Sequence, residues 1–201
     1  MNKGLMIVIS GPAGSGKGTV NGHLLKRDDF VYSVSATTRA PRPNETDGVN
    51  YHFISREEFI SRIDSGDMLE YTEYCGNFYG TPLKEAVEVL ESGKNLILEI
   101  EVEGAHNVKA KYPEAILIML LPPSFAVQEQ RLRGRGTESE DKILARLSRT
   151  REELDVVNDY DYVVYNYDGK DTEAADERIS ILRAERASIA RNPNVKKHYF
   201  E

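Results

Sequence analysis

Gly11-Pro12-Ala13-Gly14-Ser15-Gly16-Lys17 sets three glycines and a lysine into seven residues, directly behind an apolar run and ahead of a helical pattern. This is the spacing of a loop that cradles phosphate. Glycines let successive backbone N–H groups turn inward with no Cβ in the way. A helix N-terminus adds partial positive charge, and Lys17 supplies a mobile full charge. Gly18 stands where such loops usually carry the hydroxyl that touches the metal, with Thr19 one place on. A metal would then be held by Thr19, or by phosphate oxygens, waters and carboxylates. Glu99 and Glu101, at the end of a predicted core strand, are the candidate carboxylates.

Arginines form the second chemical group. Arg39 and Arg42 flank Pro41 in a segment too proline-rich for a helix, so both read as loop residues free to converge on one anion. Arg131, Arg133, Arg135, Arg146, Arg149 and Arg151 crowd residues 131–151. The planar guanidinium fork binds two phosphate oxygens at once. Taken singly, an arginine is more often a solvated surface residue, and a tyrosine more often packs its ring. His23, His52, His106 and His198 are scattered without metal-ligand spacing. Cys75 has no cysteine partner and reads as no nucleophile, and Lys196-Lys197-His198 reads as a solvated end.

Elements to position these residues can be read from the hydrophobic pattern. Leu5–Ser10, Asn95–Ile100, Ala115–Leu120 and Tyr162–Tyr165 are near-continuous apolar runs, as expected of parallel strands covered on both faces, with Val31–Ser35 a weaker fifth. Ser55 and Glu58 form a capping box ahead of Phe59, Ile60 and Ile63, and Gly66 stops that helix. Thr81-Pro82 reads as an N-cap and first-turn proline before Leu83. Ser139 should cap a helix over Glu140–Val157, and a last helix should run from Asp171 or Thr172 to about Arg191. Strands alternating with helices give an α/β fold with a parallel sheet flanked by helices. Residues 36–80 break the rhythm with prolines, glycines and tyrosines and read as a small inserted lobe.

With 201 residues and one cysteine, the chain can bury a substantial core and cannot form an intrachain disulfide. A formal charge of −7 is too acidic for a protein living on nucleic acid or an anionic membrane. The longest apolar run, Ala115–Leu121, falls far short of a membrane span, and the segment after Met1 is too short for a signal-peptide core. A cytoplasmic protein is expected.

Gly11–Thr19, Ser33-Val34-Ser35-Ala36-Thr37-Thr38-Arg39-Ala40-Pro41-Arg42 and Gly48–Phe53 together resemble guanylate kinases. So do Glu70-Tyr71, Gly76–Thr81, Leu98–Gly104 and Arg131–Glu138, in order and over nearly the whole chain. The resemblance implies ATP-dependent phosphorylation of GMP to GDP. It implies a P-loop core of residues 1–35, 82–125 and 156–201, an inserted GMP-binding lobe of residues 36–81, and an arginine-rich helical lid of residues 126–155. ATP would lie on Gly11, Pro12, Ala13, Gly14, Ser15, Gly16, Lys17, Gly18 and Thr19, with Asn166 near the adenine. Ser35, Glu70 and Thr81 would face guanine. Arg39, Arg42, Tyr51 and Tyr79 would hold the GMP phosphate, with Glu99 and Glu101 on the same side. Lys17, Arg39, Arg131, Arg135 and Arg146 would act on the phosphates in transfer, and Mg2+ would accompany ATP.

The family commonly has Asp where this chain has Glu99 and Glu101, and Gln where it has Glu103. The expected partners are ATP and GMP, with no nucleic acid and no membrane, in a monomer or homodimer. The alternative is a guanylate-kinase-like module that binds phosphopeptides without catalysis. Such modules keep the GMP lobe and erode the phosphate loop, whereas Gly14, Gly16 and Lys17 are intact here.

Overall fold

The computed structural model describes residues 3–74, 76–136 and 138–200. Met1, Asn2, Cys75, Thr137 and Glu201 lie outside the described residues, so the readings that touch the N-terminal segment, Cys75 and Thr137 have no structural counterpart. Strands in chain order are β1 (Met6–Ser10), β2 (Phe30–Tyr32), β3 (Ala36–Thr37), β4 (His52–Phe53), β5 (Met68–Tyr74), β6 (Asn77–Pro82), β7 (Asn95–Glu99), β8 (Ile116–Leu121) and β9 (Tyr162–Tyr165). Helices are α1 (Lys17–Leu24), α2 (Arg56–Asp64), α3 (Leu83–Glu91), α4 (Val102–Lys111), α5 (Phe125–Gly134), α6 (Glu140–Asp155), α7 (Asp171–Ala187) and α8 (Val195–Phe200).

The apolar runs become a five-stranded parallel sheet in the order β2-β7-β1-β8-β9. Alternation along β1 explains why the run is continuous. Ile7 and Ile9 face a cluster with Val20 and Leu24 of α1 and Ala174, Ala175 and Leu182 of α7. Met6 and Val8 face the opposite cluster, with Ala86 and Leu90 of α3 and Ala105 and Val108 of α4. Both faces are therefore covered, so Met6–Ile9 are all apolar, and Ser10 at the strand end satisfies its hydroxyl on the Ile100 carbonyl at 2.8 Å. The ends of β1 and β7 deliver the phosphate loop and Glu99 to one edge of this sheet.

The second sheet has the order β4-β3-β6-β5. It grips α2 through a small core of Ala36, Phe59 and Met68, with Ile54, Ile63 and Phe78 packed against it. The rings of Phe59 and Phe78 stack with centroids 5.2 Å apart. Ser55 caps α2 by accepting the Glu58 N–H at 3.1 Å, as the sequence pattern predicts.

Four expectations change. Thr81 does not cap α3: it is the fifth residue of β6, Pro82 takes the cap position, and the Thr81 hydroxyl donates to Glu70 instead. The strand expected at Val31–Ser35 is Phe30–Tyr32, because after Ser33 donates to the Ile97 carbonyl the chain turns away to start β3. Ser139 stands at the α6 N-terminus without a side-chain cap, and the helix tightens into a 3-10 turn over Val157–Asp159. The last long helix ends at Ala187, where Ser188 goes extended (ψ 144°), and a 3-10 turn follows over Ile189–Arg191.

The Phe59 side chain is fully buried in a core of few residues, so little can collapse into the space it leaves. Phe59→Ala should cost about 3–5 kcal/mol. Urea denaturation checks this, and a loss under about 1 kcal/mol would contradict the assigned packing.

Candidate active site

The loop between β1 and α1 is closed by the Ser15 N–H on the Pro12 carbonyl at 3.1 Å. Gly16 ends it in the left-handed region (φ 89°), and a Cβ there would lie 2.3 Å from the Asn166 amide nitrogen. Only glycine meets both demands. Asn166 clamps the loop from the end of β9 by donating to the Ser15 carbonyl at 2.9 Å. Lys17 bends back over its own loop, its ammonium 2.5 Å from the Gly11 carbonyl. Ser15 Oγ and Asn166 Oδ1 are buried here with no hydrogen-bond partner among the described residues.

Beside the loop opens a cavity of about 420 Å3, lined by Gly14, Gly16, Thr19, Arg131, Arg135, Asn166 and Asp168, among others. Asn166 thus serves the loop as well as the wall where the resemblance sets adenine. Arg131 of α5 spans the cavity mouth. It donates to the carbonyls of Gly14 (3.2 Å) and Asn166 (2.8 Å) and pairs with Asp168 at 2.6 Å. Arg146, exposed on α6, pairs with Glu138 at 2.8 Å. The lid arginines expected at the phosphates are therefore held by carboxylates, except Arg135, which lines the cavity.

Across the sheet edge lies a second polar cluster. Arg39 makes a bidentate pair with Glu45, both contacts 2.9 Å, and lies over the rings of Tyr51 (5.4 Å) and Phe53 (5.7 Å). Tyr51 and Tyr79 meet edge to face at 6.1 Å. Glu45 also accepts the Arg42 backbone N–H at 2.8 Å, while the Arg42 side chain stands in solvent. Hydrogen bonds from Arg39 and Arg42 hold the Glu45 carboxyl below its usual range, and burial pushes the Tyr51 hydroxyl up. Glu45 escapes a reading of the sequence. Its signal was the need of a half-buried guanidinium for a counter-charge within the same loop.

The third group is the expected base contact. Glu70 on β5 pairs with Thr81 on β6, and Ala36 of β3 pairs with Gly80. That antiparallel register sets Ser35 across from Thr81, so Ser35, Thr81 and Glu70 form one row. The Thr81 hydroxyl donates to Glu70 Oε1 at 2.8 Å. Gly104 of α4 closes the far side, where a Cβ would come within 2.9 Å of Glu70 Oε2. Glu70 is 3% exposed. Burial pushes its carboxyl up to about 7, against the downward pull of the Thr81 hydrogen bonds and the Lys111 charge.

Glu99 and Glu101 part company at the strand end. Glu99 accepts from Asn21 (2.7 Å) and Tyr32 (3.3 Å). Glu101 is drawn to Arg149 of α6 at 2.9 Å, and Arg149 also covers the Tyr74 ring at 4.8 Å. Arg149, already visible in the sequence as part of the arginine cluster, belongs to the site's surroundings, as do Glu153, Asn21 and Asp168, which have no local sequence signal. His23 pairs with Asp171 at the cavity wall, and His52 and His106 pair with Glu85 and Asp159. Among the described residues no three His, Cys, Asp or Glu gather as a metal cage. The partly exposed oxygens of Thr19, Glu99 and Glu101 are hard donors that fit a hydrated divalent cation riding on phosphate. Among the described residues no helix is long and apolar enough to cross a membrane.

The model of the guanylate kinase family matches residues 3–179. A guanylate kinase of Halalkalibacterium halodurans is 51% identical, covering 90% of this chain and 87% of its own length. One of Desulfitobacterium hafniense is 48% identical over 96% of each chain. The crystal structure of a guanylate kinase from Anaplasma phagocytophilum superposes with a TM-score of 0.76 at 34% identity, covering 95% of this chain and 90% of its own.

The raised Glu70 carboxyl predicts a pH dependence. A base that donates two hydrogen bonds needs the carboxylate ionised, so the complex holds fewer protons than the free protein. GMP affinity should be full above about pH 8 and fall steadily through about pH 7, with proton release on binding at neutrality. Titration calorimetry in buffers of different ionisation enthalpy checks it. In Glu70→Gln this component should vanish, leaving only the titration of the ligand's phosphate. An unchanged profile in that variant would contradict the assignment.

Proposed function

As a member of the guanylate kinase family, the chain transfers phosphate from ATP to GMP, and we propose that it does so with the residue roles that follow. The observation that carries them is the row Ser35, Thr81 and Glu70, with Thr81 and Glu70 buried and Ser35 partly exposed. Guanine presents two neighbouring donors, N1–H and the 2-amino group, which match a carboxylate with one oxygen unclaimed. Adenine presents an acceptor nitrogen and a C–H there, leaving a desolvated carboxylate without a donor. A phosphopeptide module would have no use for the intact loop and the cavity beside it.

Residues 1–35, 82–125 and 156–201 act as the core, residues 36–81 as the GMP lobe and residues 126–155 as the lid. GMP lies with its phosphate on Arg39, Arg42, Tyr51 and Tyr79. ATP lies on the loop of residues 11–19, its adenine in the cavity by Asn166. An oxygen of the GMP phosphate attacks the γ-phosphorus, the bond to the β–γ bridging oxygen breaks, and ADP departs with that electron pair. No covalent intermediate on the protein is needed. Lys17, Arg131, Arg135 and Arg146 neutralise the charge on the transferring group, and Arg39 steadies the acceptor.

In the free protein, Glu45, Asp168 and Glu138 stand in for phosphate on Arg39, Arg131 and Arg146. Substrate phosphates take their place, so the arginines are already charged and roughly aimed. When bound with ATP, Mg2+ supplies further charge neutralisation, and Thr19, Glu99 and Glu101 would hold it through water. Lid and lobe closing together exclude the water that would otherwise hydrolyse ATP. The reading needs neither nucleic acid nor membrane and operates in a cytoplasmic monomer or homodimer.

A coupled ADP-release assay tests these roles. Lys17→Ala should lower kcat by at least about 100-fold with the fold intact. Glu70→Gln swaps an acceptor for a donor and should lower kcat/KM for GMP on the order of 1000-fold, with the KM for ATP little changed. Wild-type efficiency on GMP with AMP still rejected would move base recognition elsewhere.

A further inference from the structure

Arg178 on α7 has no exposed surface. Its Nη1 donates to Asn21 Oδ1 at 2.6 Å, while Nε and Nη2 find no hydrogen-bond partner among the described residues. Around it stand Ala174, Ala175 and Leu182 of its own helix and Val20 and Leu24 of α1, an apolar cluster that would accept an apolar side chain. A buried charge with most of its donors unmet is costly, and packing two helices does not require one. The arginine therefore calls for an explanation other than stability.

Asn21 supplies it. A guanidinium can only donate, so Asn21 must turn its oxygen toward Arg178 and its NH2 the other way. That NH2 donates to Glu99 Oε2 at 2.7 Å. The Tyr32 hydroxyl holds the same oxygen at 3.3 Å. Oε1 of Glu99 is left without a hydrogen bond among the described residues. Glu99 stands at the end of β7, paired with Ile9 just ahead of the phosphate loop. It is also the carboxylate whose charge acts on Arg178, whose own titration burial draws down to about 10. One chain of hydrogen bonds thus runs from α7 through α1 to the end of β7.

We propose that Arg178, acting through Asn21, is a positioning residue for Glu99, fixing the carboxylate with one oxygen claimed and the other offered to bound GMP. It rests on the reading that Glu99 faces the acceptor. A flipped Asn21 amide would turn an oxygen on Glu99, and Arg178 forbids that flip. The residue touches no substrate. Its effect belongs to GMP binding and not to ATP binding, although Asn21 lies only four positions after Lys17.

A double-mutant cycle read by calorimetric Kd for GMP tests the coupling. Arg178→Met should weaken GMP binding by about tenfold, with the Kd for ATP within about twofold of wild type. Arg178→Lys, which keeps the cation, should recover most of the loss. In a Glu99→Gln background Arg178→Met should add less than about twofold. An equal penalty in both backgrounds overturns the proposal, as does a parallel weakening of GMP and ATP. If Glu99→Gln weakens GMP and Arg178→Met does not, the positioning role alone falls. If Glu99→Gln leaves GMP binding intact, the acceptor-side reading of Glu99 falls with it. Should Arg178→Met fail to fold, Asn21→Leu takes its place in the cycle with the same expected outcomes.

Discussion

A carboxylate almost wholly removed from water has to be met by donors or give up its charge, and Glu70 is placed between those outcomes. Thr81 claims one oxygen, while burial holds the group near the point of half-ionisation. Much of the surrounding architecture serves this position. The register of β5 on β6 sets Thr81 opposite Glu70, and the register of β3 adds Ser35 to the row. Gly104 lets α4 approach to the carboxylate, where any side chain would collide. Phe59 and Phe78 stiffen the lobe behind the row. A ligand that donates to Glu70 would relieve the desolvation built into the free protein, and under the proposed reading specificity and affinity would come from the same contact.

The phosphates pose the opposite problem. An acidic chain must concentrate positive charge at one edge without scattering it. It does so by giving four of the site arginines a carboxylate partner: Glu45 for Arg39, Asp168 for Arg131, Glu138 for Arg146, Glu101 for Arg149. These pairs keep the guanidinium groups ordered and prevent them from repelling one another. They are partly exposed, so each is weak enough to exchange for phosphate. The phosphate loop differs, relying on backbone geometry and one lysine.

Sequence alone makes the loop and the parallel strands legible, because glycine spacing and continuous apolar runs are local signals. The α2 cap is legible for the same reason. Thr81 shows where local reasoning fails. Its place before Pro82 looks like a helix cap, yet a strand partner across the hairpin claims its hydroxyl. The Arg178–Asn21–Glu99 chain is invisible in sequence, since its members are separated by 157 and 78 positions and meet only after the sheet is assembled. Asp168 hides in the same way, 37 positions from Arg131, as an ordinary surface acid until the arginine reaches it. Ser35 and Tyr79 are legible only through the family resemblance, because no periodicity distinguishes a substrate contact from a solvated side chain.

In the proposed reading, base recognition rests on the Glu70 row while the two nucleotides meet at the sheet edge. A crystal structure with GMP and a non-hydrolysable ATP analogue tests it most directly. The account predicts guanine N1–H and its 2-amino group within hydrogen-bond distance of Glu70, with Ser35 and Thr81 along the same edge. It also predicts phosphate oxygens in place of Glu45 on Arg39 and of Asp168 on Arg131. A guanine bound away from Glu70, or arginines still held by their carboxylates with both nucleotides present, would contradict it.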